Sequence, residues 1–552
     1  MLNGIIFKQA LISGANNIVN HRQEVDALNV FPVPDGDTGT NMSMTISAAA
    51  RELQVCEQTD IASVSAKAAA ALLRGARGNS GVILSLIFRG ISNGFKGMDS
   101  ADGKALAKAL ELGKESAYKA VMKPTEGTIL TVIRMAAEAV KNTQETDCKI
   151  VLKTAYEAAK DALLKTPEML PVLKQAGVVD AGGQGFIFIL EGMLSVIEDG
   201  KTVEPIETLD KKDNAKSDKS VVAAASGDIK FGYCSEFLIN KEKDAQSNAA
   251  ALKAYLESIG DCVVVVEDDD IIKVHVHSNE PGNVIQAALK CGPLTNIKID
   301  NMRFQHRNAD RGTENAKEEI KHSEQAQAPV EPTKDYGFVS VAAGDGFIEL
   351  FKELGADNIV SGGQTMNPST DDILSAIEAT PARHVFVLPN NKNIIMAAEQ
   401  TVNLADREVS VLQTKTLTQG VSAMLNFSET EDVEANLLNM MKAAEAVHTA
   451  QVTFAARDSE AFGQKIKKGQ ILGMEDGKIT LVEDDIVNAA YRTARRLAKK
   501  YNASFITVYY GEETDEATAK HLSERLSERF PNIEINVIPG GQPVYYFIIS
   551  VE

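Results

Sequence analysis

The densest chemistry in the sequence lies in residues 29–45, NVFPVPDGDTGTNMSMT. Pro32 and Pro34 keep the backbone extended and forbid a helix there. Asp35 and Asp37 follow, separated by one glycine and succeeded by Gly39. Glycine permits the cramped backbone that folds two carboxylates around one point. Thr38, Thr40 and Asn41 can each cap a helix, and residues 42–50 read as that helix. A helix start presents unpaired N–H groups that attract phosphate. Two hard carboxylates beside such a start suit magnesium nucleotide binding, because magnesium takes oxygen ligands and shares them with phosphates. An Asp-Gly-Asp turn is also common as a plain solvated loop. Two other ion and phosphate motifs are excluded. Counted from Asp35, the twelfth position is Ile46, where a calcium EF-hand needs a bidentate glutamate. No G-x-x-x-x-G-K-[ST] phosphate loop occurs.

Three further glycine loops stand at the starts of expected helices. Residues 74–81, RGARGNSG, feed a helix over 82–88; their glycines let backbone approach a ligand, and Ser80 can cap or bind phosphate. Residues 123–128, KPTEGT, open a helix at Ile129, and residues 177–185, GVVDAGGQG, open one at Phe186. Each loop alone is an ordinary turn. Four at helix starts form a constellation, since helix starts from one end of a bundle can converge on one anion.

These loops need helices to position them. From Gly4 to about Asp199, apolar residues recur at spacings of three and four, as in Leu106, Leu110, Gly113, Ala117 and Ala120, or Phe186, Ile189, Leu190, Leu194 and Ile197. Strand signals are nearly absent, so residues 1–206 read as an all-helical domain of roughly eight helices. Residues 207–220 are rich in Asp, Lys, Asn and Ser and read as a linker. Residues 221–311 alternate strand and helix: strands over 231–239, 262–267 and 271–277, helices over 245–259 and 282–291. Residues 312–335 form a second polar linker. Residues 336–552 read as an α/β domain with short apolar strands, favouring a mostly parallel sheet. Its loops 361–370, SGGQTMNPST, and 388–393 follow strands, the usual place for ligand or partner contacts in such sheets. The fold class is thus multidomain, an all-α N-terminal domain followed by two α/β domains.

Composition bounds the function. Aspartate and glutamate outnumber lysine and arginine by 76 to 57, and the formal charge of −19 argues against nucleic acid as a partner. Five scattered cysteines fit a reducing cytoplasm better than a disulfide framework. No uninterrupted apolar run reaches the ~18 residues of a membrane span, and no signal-peptide pattern opens the sequence, so a cytoplasmic protein is expected.

A second constellation lies in the middle domain. In IIKVHVHS, Ile272, Val274 and Val276 alternate with His275 and His277. A period of two puts both imidazoles on one face, about 7 Å apart at Cα. Cys234, on the strand FGYCSEFLI, could add a thiolate to give the His₂Cys set of a zinc site with a fourth position left over. A His-x-His strand is also often just a polar face. Glu236 and His306 are further candidate ligands.

PDGDTGTNM, GARGNSG, KPTEGT and GVVDAGGQG resemble the DhaL-type nucleotide-binding domain of the dihydroxyacetone kinase family, and the whole chain is similar to the fatty-acid kinase catalytic subunits of the FakA type. The resemblance implies a helical barrel holding ATP with two magnesium ions. Asp35 and Asp37 would be catalytic metal ligands; Thr38, Thr40, Asn41, Ser80, Gly81, Thr128, Asp180 and Gly182 would hold the nucleotide. The dihydroxyacetone kinases carry a third metal aspartate at the position of Val30, for which Asn29 or Asp26 are the substitutes at hand. The resemblance also supports metal at Cys234, His275 and His277. It implies a fatty-acid-binding partner of the DegV family, FakB type, and a homodimer, with acyl phosphate as the product. A carboxylate is ionised at pH 7, so such a kinase needs no general base. The alternatives are a non-catalytic regulator that binds nucleotide or metal, and a small-ketone kinase, which would need a sugar-binding unit that no region here resembles.

Overall fold

A computed structural model describes residues 1–29, 37–121, 123–205, 233–241, 249–267, 271–301, 330–363, 366–461 and 464–552. They fall into two compact units, 1–212 with 330–552, and 213–329. The helical region and the C-terminal α/β region therefore build one unit, although the chain between them builds the other.

Among the described residues the helical region has α1 (Gly4–Asn20), α2 (Arg22–Ala27), α3 (Thr38–Gln54), α4 (Ile61–Arg74), α5 (Gly78–Gly94), α6 (Gly103–Ala120), α7 (Ile129–Val140), α8 (Cys148–Leu164), α9 (Thr166–Met169), α10 (Pro171–Ala176) and α11 (Ala181–Asp199). Eight have 12 to 19 residues and form the body; α2, α9 and α10 are single turns or little more. Side-chain oxygens begin many of them: Asn3, Asp60, Asp102, Thr128, Asp147 and Asp180 each accept an N–H of the first turn. Each such cap is worth about 1 kcal/mol. One core, including the fully buried Leu11, Ile18, Met42, Ile46, Phe95 and Phe186, runs through the bundle. A short antiparallel pair, β1 (Leu2–Asn3) and β2 (Ser100–Ala101), ties the first helix to the loop before α6.

Helix α11 is the axis. It crosses α1 closely because Gly192 lies against Gly14; a Cβ on Gly192 would stand 2.6 Å from the Ser13 carbonyl oxygen. It is also the one helix, among the described residues, long and apolar enough to cross a membrane, and most of it is buried in the helical core. Its apolar length thus follows from being surrounded by protein.

In the second unit β3 (Tyr233–Asn240), β4 (Gly260–Glu267), β5 (Ile271–Ser278) and β6 (Leu294–Asn301) form an antiparallel sheet in the order β4-β5-β3-β6. Helices α12 (Ala249–Ile259) and α13 (Pro281–Ala288) cover one face, packing Leu252, Leu256, Val284 and Ala288 against Phe237, Ile239, Ile272, Val274 and Val276. Strand β6 is an addition to the expected elements, since the sequence pattern ends this region in a helix and a loop.

The C-terminal region corrects the expectation of one mostly parallel sheet. It has two. The first is parallel, β7 (Lys334–Ala342), β8 (Asn358–Ser361), β9 (Ala382–Leu388) and β10 (Glu408–Val411) in the order β10-β9-β7-β8. Helices α14 (Asp345–Glu353), α15 (Thr370–Glu378) and α16 (Ile395–Thr401) connect its strands, and α17 (Leu417–Leu425) and α18 (Val433–Ala446) lead onward. The second sheet contains β11 (His448–Phe454), β14 (Ile471–Glu475), β15 (Lys478–Glu483), β16 (Phe505–Tyr510), β17 (Glu534–Pro539) and β18 (Tyr545–Val551), in the order β15-β14-β11-β18-β16-β17, antiparallel except between β16 and β17. Between β11 and β14 lies a small hairpin, β12 (Ser459–Ala461) and β13 (Gln464–Ile466).

Candidate functional site

Four helices, α3, α5, α7 and α11, begin around one cavity of about 340 Å³. Thr38 comes from the first turn of α3, Asn79 and Ser80 from the first turn of α5, Thr128 is the cap of α7, and Asp180 with Gly182 belongs to the start of α11. Lys123 and Thr125 of the KPTEGT loop add a cation and a hydroxyl, while Ile83, Ile129 and Leu173 supply an apolar wall. Helix starts that converge in this way place N–H dipoles on one point and suit a phosphate. The volume is that of a small-molecule site.

The residues expected from sequence separate into two shells. Thr38, Ser80, Thr128, Asp180 and Gly182 border the cavity directly. Thr40 does not: its N–H and hydroxyl both donate to the Asp26 carboxylate, at 3.1 and 2.8 Å. Asn41 is buried, and its carbonyl accepts the Thr45 hydroxyl at 2.7 Å. Gly81 faces α3; a Cβ there would stand 2.3 Å from Thr45 Oγ1, so this glycine lets two helices meet. Asp37 is the N-terminal flanking residue of α3 and makes no side-chain cap. Its Oδ2 instead accepts a 2.7 Å hydrogen bond from Asn367 Nδ2. Asp35 and Val30 lie outside the described residues. Of the two substitutes for a carboxylate at Val30, Asp26 is engaged in holding Thr40, whereas Asn29 borders the cavity and accepts the Thr38 hydroxyl at 3.0 Å.

The loop leading to α7 is pinned by one carboxylate. Glu126 accepts from the Tyr118 hydroxyl at 2.9 Å, the Thr131 hydroxyl at 2.5 Å and Arg134 at 3.0 Å. Burial pushes Glu126 up, but these hydrogen bonds outweigh it and hold the carboxyl below its ordinary range. Burial and the bond to Glu126 raise the Tyr118 phenol to about 12. Gly127, at φ +83°, makes the turn that aims its N–H at the Thr131 hydroxyl. Asp180 behaves differently. Desolvation raises its carboxyl to about 6, against the hydrogen bonds donated by the Gly183 and Ile129 N–H groups.

The lining suits a nucleotide's phosphates. Asn79 Oδ1 is buried on the cavity wall with no hydrogen-bond partner among the described residues. Hydroxyls, Lys123, the Asn29 amide, the Asp180 carboxyl and helix starts make up the rest of the polar lining among the described residues. Asn79, Lys123 and Thr125 went unassigned in the sequence although they sit inside GARGNSG and KPTEGT. Met396 of α16, which also borders the cavity, comes from the α/β region and carries no local signal, whereas Asn367 lies in the 361–370 loop expected to make ligand or partner contacts.

In the second unit, register sets Cys234 opposite His277 and Glu236 opposite His275 across β3 and β5. The side chains of these residues lie outside the described ones, as does His306. Among the described residues no group of three His, Cys, Asp or Glu side chains is arranged for a metal.

A second cavity, of about 380 Å³, opens at the C-terminal ends of β7 and β9, with Asn390, Lys392, Lys415, His448 and Asp476 among its lining. None of the glycine-loop residues border it.

Comparison with known proteins gives three family matches in chain order. Residues 32–195 match the DAK2 domain, residues 230–309 the middle domain of the FakA-like fatty acid kinases, and residues 337–552 their C-terminal domain. Protein YloV of Bacillus subtilis is 40% identical over 558 aligned residues, covering 100% of this chain and 99% of that one. An uncharacterised Staphylococcus epidermidis protein is 37% identical over 555, with the same coverage. Among solved structures, a fatty-acid-binding DegV family protein from Thermus thermophilus aligns with 40% of this chain and 99% of its own at 14% identity and a TM-score of 0.28. The dihydroxyacetone kinase of C. freundii aligns with 39% of this chain and 48% of its own at 14% identity and a TM-score of 0.30. With kinase-family domains at both ends of its length and a full-length relative at 40% identity, the chain belongs to the FakA-like fatty acid kinase family.

Proposed function

We propose that the chain is the ATP-dependent component of a fatty-acid kinase. It would transfer the γ-phosphoryl group of ATP to a fatty-acid carboxylate held by a DegV-type binding protein. The observation that carries this reading is the convergence of four helix starts, with Asp37 beside them, on one cavity. In the reaction a carboxylate oxygen bonds to the γ-phosphorus, the bond to the β–γ bridging oxygen breaks, and ADP leaves. The acceptor is already ionised, which agrees with a cavity wall that offers no histidine among its described residues.

Asp35 and Asp37 would hold two magnesium ions, with Asn29 supplying an oxygen where relatives of the ketone-kinase type have a third aspartate. Magnesium there would neutralise charge on the phosphates in the transition state. Ser80 would offer its hydroxyl to the phosphates, Thr38 and Thr128 would line them, the helix starts after Thr128 and Asp180 would add dipoles, and Lys123 would stabilise the outgoing charge. Thr40, Asn41 and Gly81 support this wall from behind. Gly182 keeps the mouth of α11 clear, since a Cβ would come within 3.3 Å of Asp180 Oδ2.

The same reading assigns residues 221–311 a zinc held by Cys234, His275 and His277, and leaves that domain and residues 336–552 for the carrier and a second copy of the chain. The discriminating experiment is the Asp35→Ala, Asp37→Ala double variant with carrier-bound oleate and MgATP. A kinase loses transfer while the variant stays folded; a nucleotide-binding regulator shows no transfer even in the parent chain.

A further inference from the structure

The helical cavity is not completed by the helical region alone. Asn367, in the loop between β8 and α15, is 4% exposed and donates Nδ2 to Asp37 Oδ2 at 2.7 Å, across 330 positions of sequence. The contact is built rather than incidental. The Asn367 carbonyl accepts Arg77 Nη1 at 2.8 Å, and Arg77 Nη2 pairs with Asp372 at 3.3 Å. The Arg77 backbone bridges Ser369, and the Thr370 N–H donates to the Ala76 carbonyl at 3.0 Å. Gly78, at φ +57°, makes room, because a Cβ there would lie 3.3 Å from Asn367 Nδ2 and 2.5 Å from Asn41 Nδ2. A second arm reaches the other side of the aspartate segment: Arg457, just before β12, donates to the Ala27 carbonyl at 2.8 Å and to the Asp26 carbonyl at 3.5 Å. The Asp26 carboxylate in turn holds the first turn of α3 through Thr40. The α/β region thus grips both described ends of the segment that carries the aspartates.

We infer that Asn367 is a positioning residue for Asp37, so that the affinity of the helical cavity for a divalent cation with its nucleotide is set by the C-terminal α/β region. The chemistry favours an amide in this place. A neutral N–H donor fixes the plane of a ligating carboxylate without the positive charge that would repel the cation, and such outer partners tune metal sites strongly. The inference rests on the nucleotide-site reading above and adds to it a dependence on a distant domain.

The test uses the full-length chain and titration calorimetry with ADP, in magnesium and in EDTA. Asn367→Ala is expected to raise the magnesium concentration for half-maximal ADP binding roughly 10-fold. ADP binding in EDTA and the melting temperature should hardly move. In an Asp37→Asn background the same substitution should add less than about 2-fold, because the group it positions is already gone. If Asn367→Ala leaves the magnesium dependence unchanged while Asp37→Ala abolishes it, the inference falls and the nucleotide site stands. If Asn367→Ala weakens binding equally in magnesium and EDTA, with a lowered melting temperature, the contact is structural and the inference also falls. Magnesium-dependent binding that ignores Asp37→Ala overturns both.

Discussion

The unit built by the two ends of the chain holds two cavities of similar volume, about 340 and 380 Å³, made in opposite ways. The helical one is ringed by four helix starts, threonine and serine hydroxyls and one lysine, next to Asp37. The α/β one sits where β7 and β9, neighbours in the sheet, send their connections apart, the usual ligand crevice of a parallel sheet. Its lining mixes Lys392 and Lys415 with Glu445 and Asp476, and the Asp476 carboxylate bonds His448 at 3.0 Å. Size therefore does not tell them apart. What does is where the polarity comes from: in the helical cavity aligned backbone dipoles add to one lysine and a carboxyl, Asp180, that burial raises to about 6, whereas the α/β cavity relies on side chains of both signs that partly cancel.

The sharpest way to break this distinction is Asp37→Ala. Transfer should fall by roughly 1,000-fold or more, the scale expected when charge neutralisation at a phosphoryl group is lost. Stability should fall by at most about 1–3 kcal/mol, since Asp37 makes no helix cap but its loss leaves the buried Asn367 amide without that acceptor. Turnover surviving near the parent level would move the chemistry away from the helical cavity.

Next in size is a pH effect. The Asp180 carboxyl is raised by burial from 3.8 to about 6, so the folded apo chain keeps a proton that the unfolded chain has released. Its stabilising contribution is present below about pH 4 and lost as pH rises through 6, at most ~3 kcal/mol. Asp180→Asn keeps an acceptor for the Gly183 N–H and removes the charge. Measured by urea unfolding without nucleotide, the variant should gain on the parent chain between pH 4 and pH 7; parallel curves would mean Asp180 is solvated.

Gly81→Ala probes the wall rather than its surface. The added methyl meets Thr45 Oγ1, which also receives the Arg77 N–H, so a loss of about 1–3 kcal/mol is expected from overpacking. Unfolding midpoints check it, and an effect on nucleotide affinity without one on stability would return Gly81 to the phosphate. The smallest contrast compares lysines. Lys123→Ala should weaken ADP binding about 10-fold, the worth of one charged hydrogen bond, and Lys415→Ala in the other cavity less than 2-fold.

How much of this was legible follows the range of the interactions. The helices, their starts and the four glycine loops are written locally, in three- and four-residue spacing and in capping residues, and the cavity forms where those loops meet. Gly81 misled because a glycine before a helix looks the same whether it admits phosphate or a neighbouring helix. Asn367 lies in the 361–370 loop that its place after a strand marks for ligand or partner contacts, but only the fold shows that its partner is Asp37, 330 positions away, and Met396 carries no local signal. The second sheet was partly readable. Asp476 and Gly477, both at positive φ, make a two-residue turn between β14 and β15, and Asp-Gly between apolar runs is a hairpin signal. Strand β17 has no such signal, and its parallel pairing with β16 is fixed by tertiary context.

The identity of the phosphoryl acceptor decides the function. The direct measurement is transfer from γ-labelled ATP, with magnesium, to oleate presented by a purified DegV-type carrier, followed by hydroxylamine treatment of the product. Label that enters the lipid, is released by hydroxylamine and is absent with Asp37→Ala is the predicted result. ATP binding that needs Asp37 but yields no labelled acyl phosphate with any such carrier would contradict it.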